Sequence, residues 1–128
     1  MTTNPETVEV ELDTIPDPGA REVVFESLDW PVTGFLVRKG RRVYGYVNVC
    51  PHAGRMLNWG PDKFLTRDKS LIICSAHGAV FEIETGVCVA GPCPGASLRP
   101  LDVEIKGGVV RARYKKLESE KLGSESNF

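Results

Sequence analysis

The chain has 128 residues, 41% of them hydrophobic, and a formal net charge of −1. That length predicts one domain that buries a core without a disulfide framework, and the small net charge argues against binding to nucleic acid or an anionic membrane. No apolar run approaches the roughly 20 residues that cross a bilayer, and the polar N-terminus has none of the features of a secretory signal. We therefore expect a cytoplasmic protein.

The first 26 residues predict two short strands. Val8, Val10 and Leu12 alternate along the first strand, and residues 23–25 form the second. The two prolines and the glycine of residues 14–19 predict a loop between them.

Short apolar segments divided by glycine, proline and polar residues fill the rest of the chain. The predicted strands are residues 34–38, 43–49, 71–74, 79–83, 87–90, 101–105 and 109–114. Turns at Gly40 and at Gly107-Gly108 predict two β-hairpins, residues 53–70 form a long connection, and the prolines of residues 91–95 predict a rigid loop. Because no segment predicts a helix of ten residues, the pattern indicates an all-β sandwich or small barrel.

Charge is unevenly distributed between the two ends of the chain. Residues 1–26 hold seven acidic residues and one basic residue, whereas residues 99–121 hold seven basic and four acidic residues. The two ends either lie side by side and partly neutralise each other, or carry ordinary solvated surface charge.

Two pairs of metal-ligand residues stand out. Cys50-Pro51-His52 is a C-x-H pair, Cys74-Ser75-Ala76-His77 is a C-x-x-H pair, and together they use both histidines of the chain. Two thiolates and two imidazoles can bind one Zn²⁺, or a [2Fe–2S] cluster in which histidine replaces cysteine on one iron. Zinc fingers usually group Cys with Cys and His with His. The mixed pairs therefore favour a cluster, and zinc is the alternative.

The sequence resembles the Rieske [2Fe–2S] proteins. The likeness rests on Cys50-x-His52, on Cys74-x-x-His77-Gly78, and on the downstream Thr85-Gly86 turn and Gly91-Pro92-x-Pro94 loop. It extends over residues 32–114. The resemblance implies an all-β Rieske fold of three small antiparallel sheets, with a cluster-binding subdomain of two loops at about residues 47–95. The chain length together with this resemblance predicts a single Rieske domain over residues 1–116, and the polar, Ser- and Glu-containing composition of residues 117–128 predicts a flexible tail.

The resemblance also implies the ligands. Cys50 and Cys74 would bind the inner ferric iron of one [2Fe–2S] cluster, and His52 and His77 would bind the outer, reducible iron. Cys88 and Cys93 lie outside the pairs and are expected to be small buried residues.

The chain departs from the Rieske subunits of respiratory and photosynthetic complexes. Those subunits carry an extra cysteine in each ligand loop, and Ser and Tyr donors to cluster and ligand sulfur. This chain has no extra loop cysteine, and Ala79 and Phe81 stand at the donor positions. Fewer hydrogen bonds to sulfur lower the reduction potential, so we expect a low-potential, ferredoxin-type protein.

The implied function is single-electron transfer from a reductase to a terminal oxygenase or reductase, as in ring-hydroxylating dioxygenase systems. The chain would be an electron carrier and not itself an enzyme, because both histidines are used and none remains for a mononuclear iron site. Two alternatives are a zinc-stabilised binding module and a small regulatory subunit of a nitrite reductase-like enzyme. Arg55 could face an acidic partner near the cluster, and Met56, Leu57 and Trp59 are expected to cover the cluster loops.

Overall fold

The computed structural model describes residues 6–26, 31–51, 56–75, 78–92 and 94–114. These residues form nine strands and one short 3-10 helix. The strands are β1 (Thr7–Glu11), β2 (Gly19–Phe25), β3 (Val32–Lys39), β4 (Arg42–Val47), β5 (Leu71–Ile73), β6 (Val80–Glu82), β7 (Cys88–Ala90), β8 (Asp102–Lys106) and β9 (Val109–Arg113). The 3-10 helix is Leu12–Thr14.

The strands form three antiparallel sheets of three strands each. The terminal sheet has the order β1-β9-β8, the central sheet β2-β3-β4, and the third sheet β5-β6-β7. The predicted fold of three small antiparallel sheets is therefore confirmed. The single closed barrel that strand spacing alone also allows is not formed by the described strands, since they divide into three separate sheets. The alternative, a sandwich, agrees with the packing of the central sheet against the other two.

Both glycine-centred hairpins are confirmed. Gly40 turns the chain between β3 and β4 with a φ of 66°, and Gly107 and Gly108 join β8 to β9 with φ values of 59° and 78°. Two consecutive positive φ values are those of a type I′ turn, whose twist matches that of the flanking strands.

The second strand is longer than predicted. It begins at Gly19 instead of residue 23, and pairs with β3 from Gly19↔Arg38 to Phe25↔Val32. Its polar residues Arg21 and Glu22 are half-buried beside this ladder. Backbone pairing with a strongly apolar neighbour thus extends the strand through a segment whose own side chains do not indicate one.

The acidic and basic ends of the chain lie side by side. In the terminal sheet, β1 pairs with β9 from Thr7↔Arg113 to Glu11↔Val109. The Arg111 guanidinium lies 2.8 Å from the Glu9 carboxylate. The first of the two charge hypotheses is therefore confirmed, although an exposed pair of this kind contributes little to stability.

The central sheet separates two hydrophobic cores. Phe35 and Val37 of β3 face the first core, which packs against the third sheet and contains Cys50 and Cys74. Leu36 of the same strand faces the second core, which packs against the terminal sheet. Because β3 is buried on both faces, the central sheet is the platform on which the cysteine loops rest.

Two further predictions concern the whole chain. The domain boundary at residue 116 and the tail at 117–128 lie outside the described residues. Within the ranges that the structure describes, no helix is long and apolar enough to cross a membrane.

Candidate functional site

The first cysteine follows the central sheet directly. β4 ends at Val47, and Cys50 lies three residues later with no exposed surface. Asn48 is the buried polar residue of the described chain, with 1% of its surface exposed. Its Oδ1 accepts a hydrogen bond from the Leu57 backbone N–H at 2.8 Å, and its Nδ2 donates to Asn58 Oδ1 at 3.1 Å. Asn48 therefore ties the strand that enters the first pair to the segment that leaves it.

The second cysteine begins a tight loop at the end of β5. The Cys74 backbone N–H donates to the Ala79 carbonyl at 2.8 Å, and the Gly78 N–H donates to the Cys74 carbonyl at 3.0 Å. Gly78 has a φ of 73°, a left-handed conformation that residues other than glycine rarely adopt. These bonds close the loop that carries the second pair, and Cys74 is buried, with 1% of its surface exposed.

The two cysteine loops are joined through the backbone of Leu57. Its N–H donates to the Asn48 side chain, and its carbonyl accepts a hydrogen bond from the Ser75 N–H at 2.9 Å. Ser75 Oγ also donates to the Asn58 carbonyl at 3.4 Å. The segment after the first pair is thus bound on one side to the first loop and on the other to the second loop.

The proline loop packs against the second cysteine loop. A Cβ atom on Gly91 would lie 2.7 Å from the Ala79 Cα and 3.1 Å from the Gly78 carbonyl oxygen. Only glycine allows the two backbones to approach so closely. Gly91 also has a φ of 98°.

The third sheet is held to the central sheet by a buried tyrosine. Tyr46 of β4 donates a hydrogen bond from its hydroxyl to the Ile83 carbonyl at 2.6 Å. Beneath it, the Phe35 and Phe64 rings stack 4.3 Å apart. Sequence reasoning misses Tyr46 and Asn48, because a tyrosine and an asparagine near the end of a strand carry no signal of the contacts they make.

The predicted ligands are only partly within the described residues. Cys50 and Cys74 lie in the same core, whereas His52 and His77 lie outside the described ranges. In the described ranges, no three His, Cys, Asp or Glu side chains are grouped to bind a metal. Two thiols shielded from water among apolar side chains fit thiolate ligation of an iron–sulfur cluster.

The remaining two cysteines, Cys88 and Cys93, lie outside the predicted ligand pairs. Cys88 is buried, and its thiol donates to the Ala90 carbonyl at 3.2 Å. This agrees with its expected role as a small core residue. Cys93 lies outside the described residues, as does Arg55.

The expected cover over the cluster loops is only partly formed. Leu57 is fully buried, but Met56 and Trp59 expose 51% and 54% of their surface. The prediction that all three pack over the loops is therefore wrong for Met56 and Trp59. Leu57 belongs to the core that contains Cys50 and Cys74, whereas the other two side chains lie at the surface.

Some of the basic residues at the first hairpin have structural roles. Arg38 donates to the Leu12 and Ile15 carbonyls at 3.2 Å. Lys39 pairs with Glu84, and this hydrogen bond raises the pKa of Lys39 and lowers that of Glu84. These two side chains connect the hairpin to neighbouring segments.

Comparison with known proteins identifies the domain. A family model described as the Rieske [2Fe–2S] domain matches residues 15–111. The ferredoxin of carbazole 1,9a-dioxygenase from Nocardioides aromaticivorans IC177 is similar in structure, with a TM-score of 0.68 and 25% identity over 85% of this chain and 98% of that one. No curated protein sequence matches the chain.

Two other structures share the fold. A chain from the complex of reduced oxygenase and oxidized ferredoxin in carbazole 1,9a-dioxygenase has a TM-score of 0.69 and 26% identity, over 90% of this chain and 100% of that one. The terminal oxygenase of carbazole 1,9a-dioxygenase from Novosphingobium sp. KA1 has a TM-score of 0.69 at 20% identity. The match spans 89% of this chain but only 31% of the oxygenase.

Proposed function

The chain belongs to the Rieske [2Fe–2S] domain family, and from that premise we propose that it is a carrier of single electrons. The observation that supports this most directly is the pair of buried thiols, Cys50 and Cys74, on two loops joined through Leu57. When bound, a Rieske-type [2Fe–2S] cluster accepts and returns one electron at a time.

The proposed ligands are Cys50, His52, Cys74 and His77. The two cysteines supply thiolates from the interior, and the two histidines supply imidazoles from the same loops. Hydrogen bonds at both ends of the second loop and at Leu57 hold the thiols in place without a disulfide. A rigid loop of this kind keeps the geometry of the ligands similar in the oxidised and reduced states. Electron transfer is then fast, because little rearrangement accompanies it.

The partners that we propose are a reductase as donor and a terminal oxygenase as acceptor. This follows the ferredoxins of carbazole 1,9a-dioxygenase to which the chain is similar. A reductase as the terminal component, as in nitrite reductase systems, is the second candidate. We place this exchange in the cytoplasm.

The reduction potential that we propose is low for a Rieske protein. Ala79 and Phe81 are both fully buried and have no hydroxyl that could donate to sulfur. Redox titration of the wild type and of Ala79→Ser and Phe81→Tyr tests this. A wild-type potential near the top of the Rieske range, or no increase in either variant, contradicts it.

The cluster itself is tested by chemical analysis. We expect about two irons and two acid-labile sulfides per chain in a reddish-brown protein. Cys50→Ala and Cys74→Ala should lose them, whereas Cys88→Ala, which changes a matched buried cysteine outside the two pairs, should keep them. A colourless protein with one bound zinc would instead establish the zinc-stabilised module.

A further inference from the structure

A basic groove runs along the segment that connects the two Cys/His pairs. It consists of two adjoining cavities, of about 600 Å³ and about 350 Å³, which share the walls Trp59, Leu65, Thr66 and Arg67. The smaller cavity is also lined by Cys74. We call the two together the connection groove. One end of it therefore reaches the second cysteine loop.

The charged side chains that line the connection groove are mainly cationic. Four basic residues line it, and the acidic residue among its walls is Asp62; the basic residues are Arg21, Lys63, Arg67 and Lys69. The chain as a whole has a net charge of −1. The groove is therefore a local positive region on a protein that is otherwise slightly acidic, and such a region attracts anionic groups.

The charged residues of the groove differ in whether other residues of the chain form hydrogen bonds with their side chains. Asp62 accepts a hydrogen bond from the Glu22 backbone N–H at 2.8 Å. Lys69 donates to the Pro18 carbonyl at 3.3 Å. Arg67 is exposed and has no hydrogen bond or ion pair with any residue that the structure describes. Its guanidinium is consequently available to a carboxylate from outside the chain.

The turn that carries Arg67 is well ordered by its own side chains. Asp68 Oδ1 accepts hydrogen bonds from the Thr66 hydroxyl at 2.7 Å, and from the Ser70 hydroxyl and N–H at 2.7 and 3.0 Å. The chain therefore presents Arg67 from a fixed turn.

Trp59 supplies an apolar contact beside these charges. Its ring is more than half exposed, its indole N–H donates to the Leu65 carbonyl at 3.3 Å, and Lys63 Nζ lies 5.4 Å from the ring centroid. An anchored aromatic ring flanked by basic side chains is the kind of residue that dominates the binding energy at protein interfaces. Its position is fixed before any partner binds.

We propose that the connection groove is where an acidic surface segment of the electron-transfer partner protein docks, with Trp59 as the apolar anchor and Lys63 and Arg67 pairing with carboxylates. This inference rests on the proposed function and adds the chemistry of the partner. It also places the partner at the end of the groove beside the second cysteine loop, the loop that carries His77, the proposed ligand of the reducible iron.

Two small oxidants of opposite charge test the electrostatic field at the end of the groove beside the second cysteine loop. The reduced holoprotein is mixed at low ionic strength with hexacyanoferrate(III), a trianion, or with tris(phenanthroline)cobalt(III), a trication. Each reagent takes one electron from the protein. The Lys63→Glu/Arg67→Glu variant should react roughly fivefold or more slowly with the anion and faster with the cation, and high salt should remove both changes.

The matched control carries the same charge change elsewhere. Arg41→Glu/Arg42→Glu reverses two charges at the β3–β4 hairpin, and neither residue lines the groove. It should leave both rates within about twofold of the wild type. Equal effects of the two variants would overturn the inference, because they would reflect net charge alone.

Poly-L-glutamate then tests docking itself. At low salt it should slow oxidation of the wild type by hexacyanoferrate(III), and slow it much less in Trp59→Ala and in the Lys63→Glu/Arg67→Glu variant. Equal inhibition of all three proteins would overturn the inference. So would a single-stranded oligonucleotide that inhibits more strongly than the polypeptide, because that would identify a nucleic-acid site.

The two proposals fail in different ways. If the purified protein has no cluster, neither reagent is reduced and the proposed function is wrong. If both reagents are reduced at rates indifferent to the groove variants, the carrier function stands and only the docking inference fails. Absorption spectra of all variants show that the cluster is retained.

Discussion

Tyr46 donates its hydroxyl hydrogen bond to the Ile83 carbonyl across 2.6 Å, and this bond links the central sheet to the third sheet. The same ring closes on the turn after β6, because a Cβ on Gly86 would lie 2.7 Å from the Tyr46 Cε1 atom. The tyrosine thus sets how the strands that flank the second cysteine loop sit on the central sheet.

Removing that hydroxyl should weaken the fold. In Tyr46→Phe, the buried Ile83 carbonyl loses its partner, and we expect the free energy of unfolding to fall by about 1–2 kcal/mol. Tyr44→Phe is the matched control, since Tyr44 is half-buried beside the same core and its hydroxyl has no hydrogen bond to a residue that the structure describes. Denaturant unfolding measures both, and an equal loss in the two variants would contradict the prediction.

The same tyrosine predicts a loss of stability at high pH. Burial, reinforced by the negative charge of Glu84, raises the pKa of Tyr46 to about 12 from 10.0. Between these values the unfolded chain has released the phenolic proton and the folded chain retains it, so stability falls as pH rises. Unfolding of the wild type and Tyr46→Phe between pH 9 and pH 12 should show a steeper decline in the wild type.

Gly91 should be far less tolerant of substitution than a second glycine in the same loop. Gly91→Ala would bring a methyl group against the Ala79 backbone, whereas Gly95 has a similar φ of 86° and no atom within 4 Å of the place where a Cβ would lie. Gly95→Ala should therefore cost about 1–2 kcal/mol from its backbone conformation alone. Gly91→Ala should cost more and reduce the iron content, as measured by unfolding and metal analysis.

The buried amide at the first cysteine loop can be tested with two variants. Asn48→Ala leaves the Leu57 N–H without its acceptor and should destabilise the protein by about 2 kcal/mol. Asn58→Ala removes the amide contact between the two asparagines and the hydrogen bond from Asn58 Nδ2 to the Gly60 carbonyl, but the Leu57 N–H keeps its acceptor, so the variant should cost less. Thermal unfolding of the holoprotein compares them, and a larger loss in Asn58→Ala would show that the second contact is the important one.

Asp68 predicts an acid-dependent loss of stability in the turn that carries Arg67. Hydrogen bonds from Ser70 and Thr66 lower the pKa of Asp68 to about 2 from 3.8. The folded chain therefore releases this proton more readily than the unfolded chain, and the stabilisation is present above pH 4 and disappears as the pH falls to about 2. Asp68→Asn should be less stable than the wild type at pH 7 and approach it at pH 2, as followed by denaturant unfolding.

The elements that the sequence predicts well are those determined by neighbouring residues. The hairpins follow from Gly40 and Gly107-Gly108, because positive φ values at those turns require residues such as glycine. The cysteine loops can be located because the ligand types and their spacing are local features. The likeness in Thr85-Gly86 and the proline loop supplies the three-sheet fold, which strand spacing alone does not.

What the sequence does not show depends on contacts between distant segments. Asn48, Leu57 and Ser75 join the two loops through bonds that include backbone atoms, so no side-chain pattern indicates them. The exposure of Trp59 also depends on how distant segments pack together. A tryptophan usually predicts core packing, but here Leu57 packs in the core with the two cysteines and Trp59 is more than half exposed, which only the folded arrangement reveals.

The pairing of β1 with β9 has a consequence for how this unit can be connected to other proteins. Thr7 lies opposite Arg113, so the first and last described strands have their outer ends about 5 Å apart. A surface loop in a host protein can accept such a unit as an insertion, because its two junctions need almost no separation. The cysteine loops rest on the third sheet and the far face of the central sheet, so neither junction has to pass near them.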